Sequence, residues 1–165
     1  MWTIIKINRN KFGFLKGDFE KKLGNKFKIY NPKIRFQKYK KNKVFFKELP
    51  ILGDYLFCFH HSFNDPKVIN NLKFSRGLKY FLEGSTLFQR EIEKFISKCK
   101  SLENEAGYLS NDLYELNANS KYKFSSGPFA EKIFKIMQLQ KNKIDILIGD
   151  FKATISKEKY SFYPT

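Results

Sequence analysis

KYKFSSGPFAEKIFKIMQLQKNKIDILIGDFKATISKEKYSFYPT, residues 121–165, decides the second half of the fold. Ile144, Ile146 and Ile148 alternate with Asp145 and Leu147, the period of two that turns one face of a strand inward. Similar short runs at 122–124, 129–139, 151–155 and 160–163, each bounded by turn residues, predict five strands and a small β-barrel. The turn at Ser126-Gly127-Pro128-Phe129-Ala130 is the most marked. Gly permits a backbone angle closed to other residues and Pro fixes the next, so the turn is expected to hold the Phe129 ring outward at the barrel rim. The plainer alternative is an ordinary turn with Phe129 in the core.

Upstream, the composition changes. Residues 1–100 carry 23 basic and 8 acidic side chains, residues 121–165 carry 9 and 4, and residues 101–120 carry no basic side chain and 4 acidic ones. Glu103, Asn104, Glu105, Ser110, Asn111 and Asp112 give that middle stretch the character of an acidic, flexible, solvated linker. The expected organisation is a domain over 1–100, a linker over 101–120 and the barrel over 121–165.

The first hundred residues read as an α+β domain, an antiparallel sheet with flanking helices. Residues 2–7 form a β-branched strand. Phe12, Leu15, Phe19 and Leu23 then recur at helical spacing and stop at Gly24-Asn25. Strands are expected over 27–36, broken at Asn31-Pro32, and over 43–46, around a basic loop of Lys38, Lys40, Lys41 and Lys43. Residues 52–60 give a central strand apolar on both faces, with Tyr55, Phe57 and Phe59 on one and Leu56 and Cys58 on the other. Asp65-Pro66 starts a short helix ending near Leu72, and 77–82 returns as a strand. Ser85 or Thr86 caps a last helix with the stripe Phe88, Ile92, Phe95, Ile96 and Cys99.

Composition narrows the function classes. Aromatic residues make up 18% of the chain, the content of a packed protein. The formal net charge of +16 points to a polyanionic partner or to a lysine-biased composition, since only four of the 32 basic residues are arginines. Cys58 and Cys99 lack disulfide-framework and metal-site spacing, and no run is apolar enough for a membrane span or signal peptide, so a cytoplasmic protein without membrane partner or cofactor is expected. Nucleophile motifs and phosphate loops are missing from the sequence, and adjacent His60 and His61 would point to opposite faces of a strand, so no enzyme is expected.

From Ser126-Gly127-Pro128-Phe129-Ala130 through 133–139 to Lys152-Ala153-Thr154, the last part resembles the KOW domain of NusG-like transcription factors. Trp2, the stretch Leu52-Gly53-Asp54-Tyr55-Leu56-Phe57 and the stretch Ser75-Arg76-Gly77-Leu78-Lys79-Tyr80-Phe81 fall in the order of the companion NGN domain. The Ser-Arg-Gly stretch is more similar to the specialised paralogue RfaH than to general NusG. Gly53-Asp54 stands where the family has Pro-Gly, Glu131 stands where KOW carries a second Gly, and the Gly at the head of the first barrel strand is absent, the marks of a divergent paralogue.

The resemblance implies a transcription elongation or antitermination factor. Its NGN domain would dock on the clamp helices of the RNA polymerase β′ subunit through Tyr55, Phe57 and Phe81, suppressing pausing or termination, unless those rings fill the core beneath the helices instead. Arg9, Lys11 and Arg76 would lie on a basic side facing upstream or non-template DNA, and Lys38 to Lys43 would reach the same phosphates or the opposing polymerase lobe. Phe129 and Lys152 match positions at which the KOW domain meets Rho or the ribosomal protein NusE. An RfaH-like variant would also fold its last segment as helices, against which the Ile-rich strands argue. A KOW-containing ribosome-associated or rRNA-binding protein is the competing reading.

Overall fold

The computed structural model describes residues 1–41, 43–110 and 115–165. Asn111 and Asp112, two of the expected linker residues, lie outside them. The chain forms two compact units, one of Met1–Pro32 with Pro50–Ser101 and one of Lys33–Leu49 with Leu102–Thr165.

The first unit is a four-stranded antiparallel sheet with helices on both faces. Its strands are β1 (Trp2–Ile7), β2 (Lys28–Tyr30), β5 (Tyr55–Phe59) and β6 (Leu78–Phe81), in the order β2-β5-β1-β6. Two helices, α1 (Phe12–Leu23) and α2 (Pro66–Leu72), pack their apolar stripes on one face. There Leu15 and Phe19 meet Ile5, Ile7, Leu56, Cys58 and Phe63 in the main core. The helical spacing from Phe12 to Leu23 thus marks the buried stripe of α1, which Gly24 ends with φ +72°. Asp65 caps α2 through its carboxylate, which accepts from the Lys67 amide at 2.8 Å, and Pro66 fills the first turn.

The third helix, α3 (Gln89–Ser101), lies on the other face over Phe57, with Ile92 and Ile96 buried against it. Phe88 precedes this helix and is exposed, so the stripe runs through Ile92, Ile96 and Cys99, with Phe95 half-buried against the Phe57 ring at 5.8 Å between centroids. Gln89 fastens the helix to the sheet: its amide oxygen accepts from the Trp2 amide at 2.9 Å, and its Nε2 donates to the Trp2 carbonyl at 2.7 Å.

The second unit joins two pieces distant in sequence. One is the hairpin of β3 (Lys33–Lys40) and β4 (Lys43–Pro50), apart from Pro50 itself. The other is a five-stranded antiparallel sheet in the order β10-β9-β8-β7-β11. Its strands are β7 (Lys121–Phe124), β8 (Ile133–Leu139), β9 (Lys143–Ile148), β10 (Phe151–Ser156) and β11 (Phe162–Pro164). One core takes side chains from all five, Tyr122, Phe124, Phe134, Ile136, Ile144, Ile146, Ile155 and Phe162, as a curled barrel-like sheet requires. The ladder between β8 and β9 shifts register between Ile136 and Gln138, a bulge that sharpens the bend.

The stretch read as a linker begins with a built turn. Asn104 accepts through its side-chain oxygen from the amides of Ala106 and Tyr108, both at 3.0 Å. Leu109 is buried and donates its amide to the Lys33 carbonyl at 2.9 Å, while the Tyr108 hydroxyl donates to Glu48 at 2.6 Å.

Candidate functional site

On the sheet face that carries α3, the helix covers only the end with Trp2, Ile4 and Phe57. The far end stays open, and three cross-strand neighbours occupy it: Lys6 on β1 is paired with Tyr55 on β5 and with Tyr80 on β6. The two hydroxyls share a hydrogen bond of 2.7 Å. Lys6 Nζ lies 5.1 Å from the Tyr55 ring centroid and 5.7 Å from that of Tyr80, within cation–π range. The bond with Tyr80, aided by Lys6, lowers the Tyr55 pKa below the ordinary tyrosine value, and the same bond raises that of Tyr80. The result is a rigid patch of amphipathic rings around one cation.

The structure separates the three residues assigned to polymerase binding. Tyr55 is in the open patch. Phe57, on the same face two residues on, is only 5% exposed, because α3 lies over it. Phe81 is on the opposite face, stacked on Phe19 at 6.4 Å and edge-on to Phe63 at 6.1 Å. The side chains that lie beside Tyr55 are Lys6 and Tyr80. Sequence reading missed both, although the alternation of β1 puts Lys6 in line with Trp2 and Ile4.

Arg9, Lys11 and Arg76 do gather at one end of the first unit, where the segment after β1 meets the turn before β6. Asn8 donates its amide to the Gly77 carbonyl at 2.8 Å. Gly77 holds φ +87°, and a Cβ there would sit 2.7 Å from the Lys11 carbonyl oxygen, so the close approach demands glycine. Arg9 pairs with the Asp54 carboxylate at 3.2 Å. Arg76 grips Asp18 through Nη2 at 2.7 Å and Nε at 3.2 Å, and its amide adds a third bond at 2.8 Å. These bonds hold the Asp18 carboxyl down at about 2. The Ser75-Arg76-Gly77 stretch therefore clamps α1, with Arg76 still exposed over the Phe14 ring at 4.9 Å.

In the second unit, the Gly127-Pro128-Phe129 turn connects β7 to β8 and Gly127 holds φ +78°, as expected of its glycine. Strand β8 begins only at Ile133, because residues 129–132 belong to the turn. The Phe129 ring does not stand out from the rim. It is half-buried against Phe124 and Tyr160, with ring centroids at 5.6 and 6.0 Å, since the curled sheet leaves an aromatic gap at that end of its core. Lys152 is exposed on the edge strand β10, which β9 separates from β8. Glu131, where the second Gly was missed, adopts φ +70°. The position is left-handed although it holds no glycine.

The histidines depart from expectation in geometry. His60 is extended and His61 starts a short 3-10 turn, so their rings lie 4.0 Å apart rather than on opposite faces. His60 is 3% exposed, and its Nδ1 accepts from the Ser62 amide at 3.3 Å. Burial, with His61 close by, pushes its pKa down. Among the described residues there is no cluster of His, Cys, Asp and Glu that would hold a metal ion, and no helix long and apolar enough to cross a membrane.

No protein-family model and no curated protein matches the chain. Among solved structures, it is similar to the MjSpt4:Spt5 complex in conformation B, at 12% identity over 100% of this chain and 98% of that one, with a TM-score of 0.30. It is also similar to Thermotoga maritima NusG, solved for its domain interaction, at 18% identity over 97% of this chain and 95% of that one, with a TM-score of 0.38.

Proposed function

We propose that this chain is a cytoplasmic, non-enzymatic transcription elongation factor of the NusG kind. Its first unit binds the clamp helices of RNA polymerase and suppresses pausing or termination, and its C-terminal sheet recruits a second partner such as Rho or NusE. The observation that carries the reading is the open Lys6–Tyr55–Tyr80 patch, at the place where the NGN resemblance puts polymerase contact. Tyrosines fixed on a sheet are suited to anchor an interface, because they bury much area while losing little conformational freedom. Phe57, beside the site under α3, and Phe81, on the opposite face of the sheet, serve it as the packing that holds the strands in place. Arg9, Lys11 and Arg76 would face DNA, positioning the factor on phosphates without reading bases. Phe129 and Lys152 would meet the second partner.

Replacing Tyr55 by Asp tests the site. Tyr55 is half-exposed, so the circular dichroism spectrum should be unchanged, while retention on RNA polymerase falls by at least about 30-fold, the loss expected of an interface anchor. Unchanged retention would remove the patch as the docking site. Phe57→Ala is the contrasting variant: its burial under α3 predicts a stability loss of about 3–5 kcal/mol.

A further inference from the structure

We infer that His60 is a proton-triggered latch: on taking up a proton its ring leaves its seat, the 3-10 turn His61–Asn64 loosens and Phe63 is uncovered. His60 follows β5 and caps that turn, its Nδ1 accepting from the Ser62 amide at 3.3 Å. An acceptor Nδ1 carries no proton, so the neutral ring holds its one proton on Nε2. Nε2 is sealed from solvent and has no hydrogen-bond partner. The Leu23 carbonyl stands close enough to favour the protonated ring but makes no hydrogen bond to it.

A second proton has no place in this arrangement. Imidazolium donates at both nitrogens, so the new Nδ1–H would confront the Ser62 N–H, while Nε2–H would still lack an acceptor. Nor is there a carboxylate to balance the charge. The charged and titratable groups around the ring are His61, whose ring lies 4.0 Å away, Lys26, Lys22 on α1 and the Met1 amine, which donates to the His60 carbonyl at 2.9 Å. From α2 only Val68, Asn71 and Leu72 line the cleft beside it, none of them charged. Burial first, and His61 next, hold the His60 pKa below the ordinary histidine value. The cleft, of about 290 Å³, opens between Lys22 and Leu23 of α1 and Val68 and Asn71 of α2, and gives the charged ring a route to water. Phe63 depends on the ring staying in: it is 3% exposed in the main core, edge-on to His60 at 5.7 Å and to Phe81 at 6.1 Å. Because the closed turn binds the proton less readily than the open one, opening grows as pH falls below about 6.5, by up to about tenfold per pH unit.

None of these residues belongs to the Lys6–Tyr55–Tyr80 patch, so the test uses the purified full-length chain alone, and its failure leaves the polymerase reading standing. Amide hydrogen exchange would be followed by NMR between about pH 7.5 and 5, each rate divided by its intrinsic value. Protection of the Ser62 and Asp65 amides should fall with pH as stated, while the central strands β1 and β5 keep theirs. The His60 ring nitrogens and the Ser62 amide shift should titrate together. His60→Asn, whose Oδ1 can cap Ser62 without titrating, should make the protection independent of pH. His61→Gln should leave the pH dependence in place. Ser62 protection constant within about twofold across the range, a His60 ring that protonates with the Ser62 amide unmoved, or a pH dependence retained in His60→Asn would each overturn the inference. If His60→Asn does not fold, the joint titration of ring and amide in the parent decides.

Discussion

Replacing Glu131 by Gly and by Ala separates two contributions that one residue now combines. Glu131 holds φ +70°, and the bond from its amide to the Phe124 carbonyl at 3.0 Å helps keep it there. A side chain in the left-handed region costs roughly 1–2 kcal/mol, because Cβ crowds the following carbonyl. Against that stands the ion pair with Lys38 at 3.4 Å, whose partners are both more than a third exposed, so about 0.2–1 kcal/mol at low salt. Glycine brings a cost of its own, about 0.5–1 kcal/mol for the extra freedom of the unfolded chain. Ala removes the ion pair and keeps the strain. Gly removes both.

The Gly variant should therefore be more stable than the Ala variant, by up to about 1.5 kcal/mol, at every salt concentration. The Glu parent should exceed Ala only at low salt, by up to about 1 kcal/mol, the difference fading as screening rises. Urea unfolding followed by far-UV circular dichroism at low and high salt provides the comparison. If Ala exceeds Gly, residue 131 is not held left-handed in solution, and the geometry of the turn is refuted with it.

Two further outcomes follow from the first unit. Gly77→Ala should destabilise by about 2 kcal/mol or more in the same urea assay, since it combines left-handed strain with a Cβ placed 2.7 Å from the Lys11 carbonyl oxygen; a change within the usual surface range of about 0.5 kcal/mol would contradict that close approach. The Asp18 pKa is depressed to about 2 by Arg76, so its contribution to stability is fully present above the unfolded value near 3.9 and is lost as pH falls toward 2. Asp18→Asn should therefore flatten the acid limb of the stability curve between about pH 4 and 2, and an unchanged limb would show the clamp to be dispensable.

How much of this was legible in the sequence depended on the range of the interaction that decided each residue. Phe12, Leu15, Phe19 and Leu23 read correctly because helical spacing alone predicts which face is buried, and Asp65-Pro66 because a cap and a fixed φ are local. The Ile144–Ile148 alternation read correctly for the same reason. The contacts of Ser75-Arg76-Gly77 were not legible, because its partners, Asp18 and Lys11, lie far earlier in the chain. Nor were the bonds of Leu109 and Tyr108 to the hairpin, which the acidic and polar composition after Ser101 concealed.

Tyr55 and Phe57 make the limit plainest. They are aromatic, share a strand and face the same way, so no periodicity distinguishes an anchor from a core ring. What separates them is the reach of α3, whose Ile92 and Ile96 cover Phe57 and stop short of Tyr55. That reach is fixed at the other end of the sheet, where Gln89 bonds both backbone groups of Trp2. The candidate site is therefore specified by the docking of a helix more than thirty residues away in sequence, which the identity of the site residues does not encode.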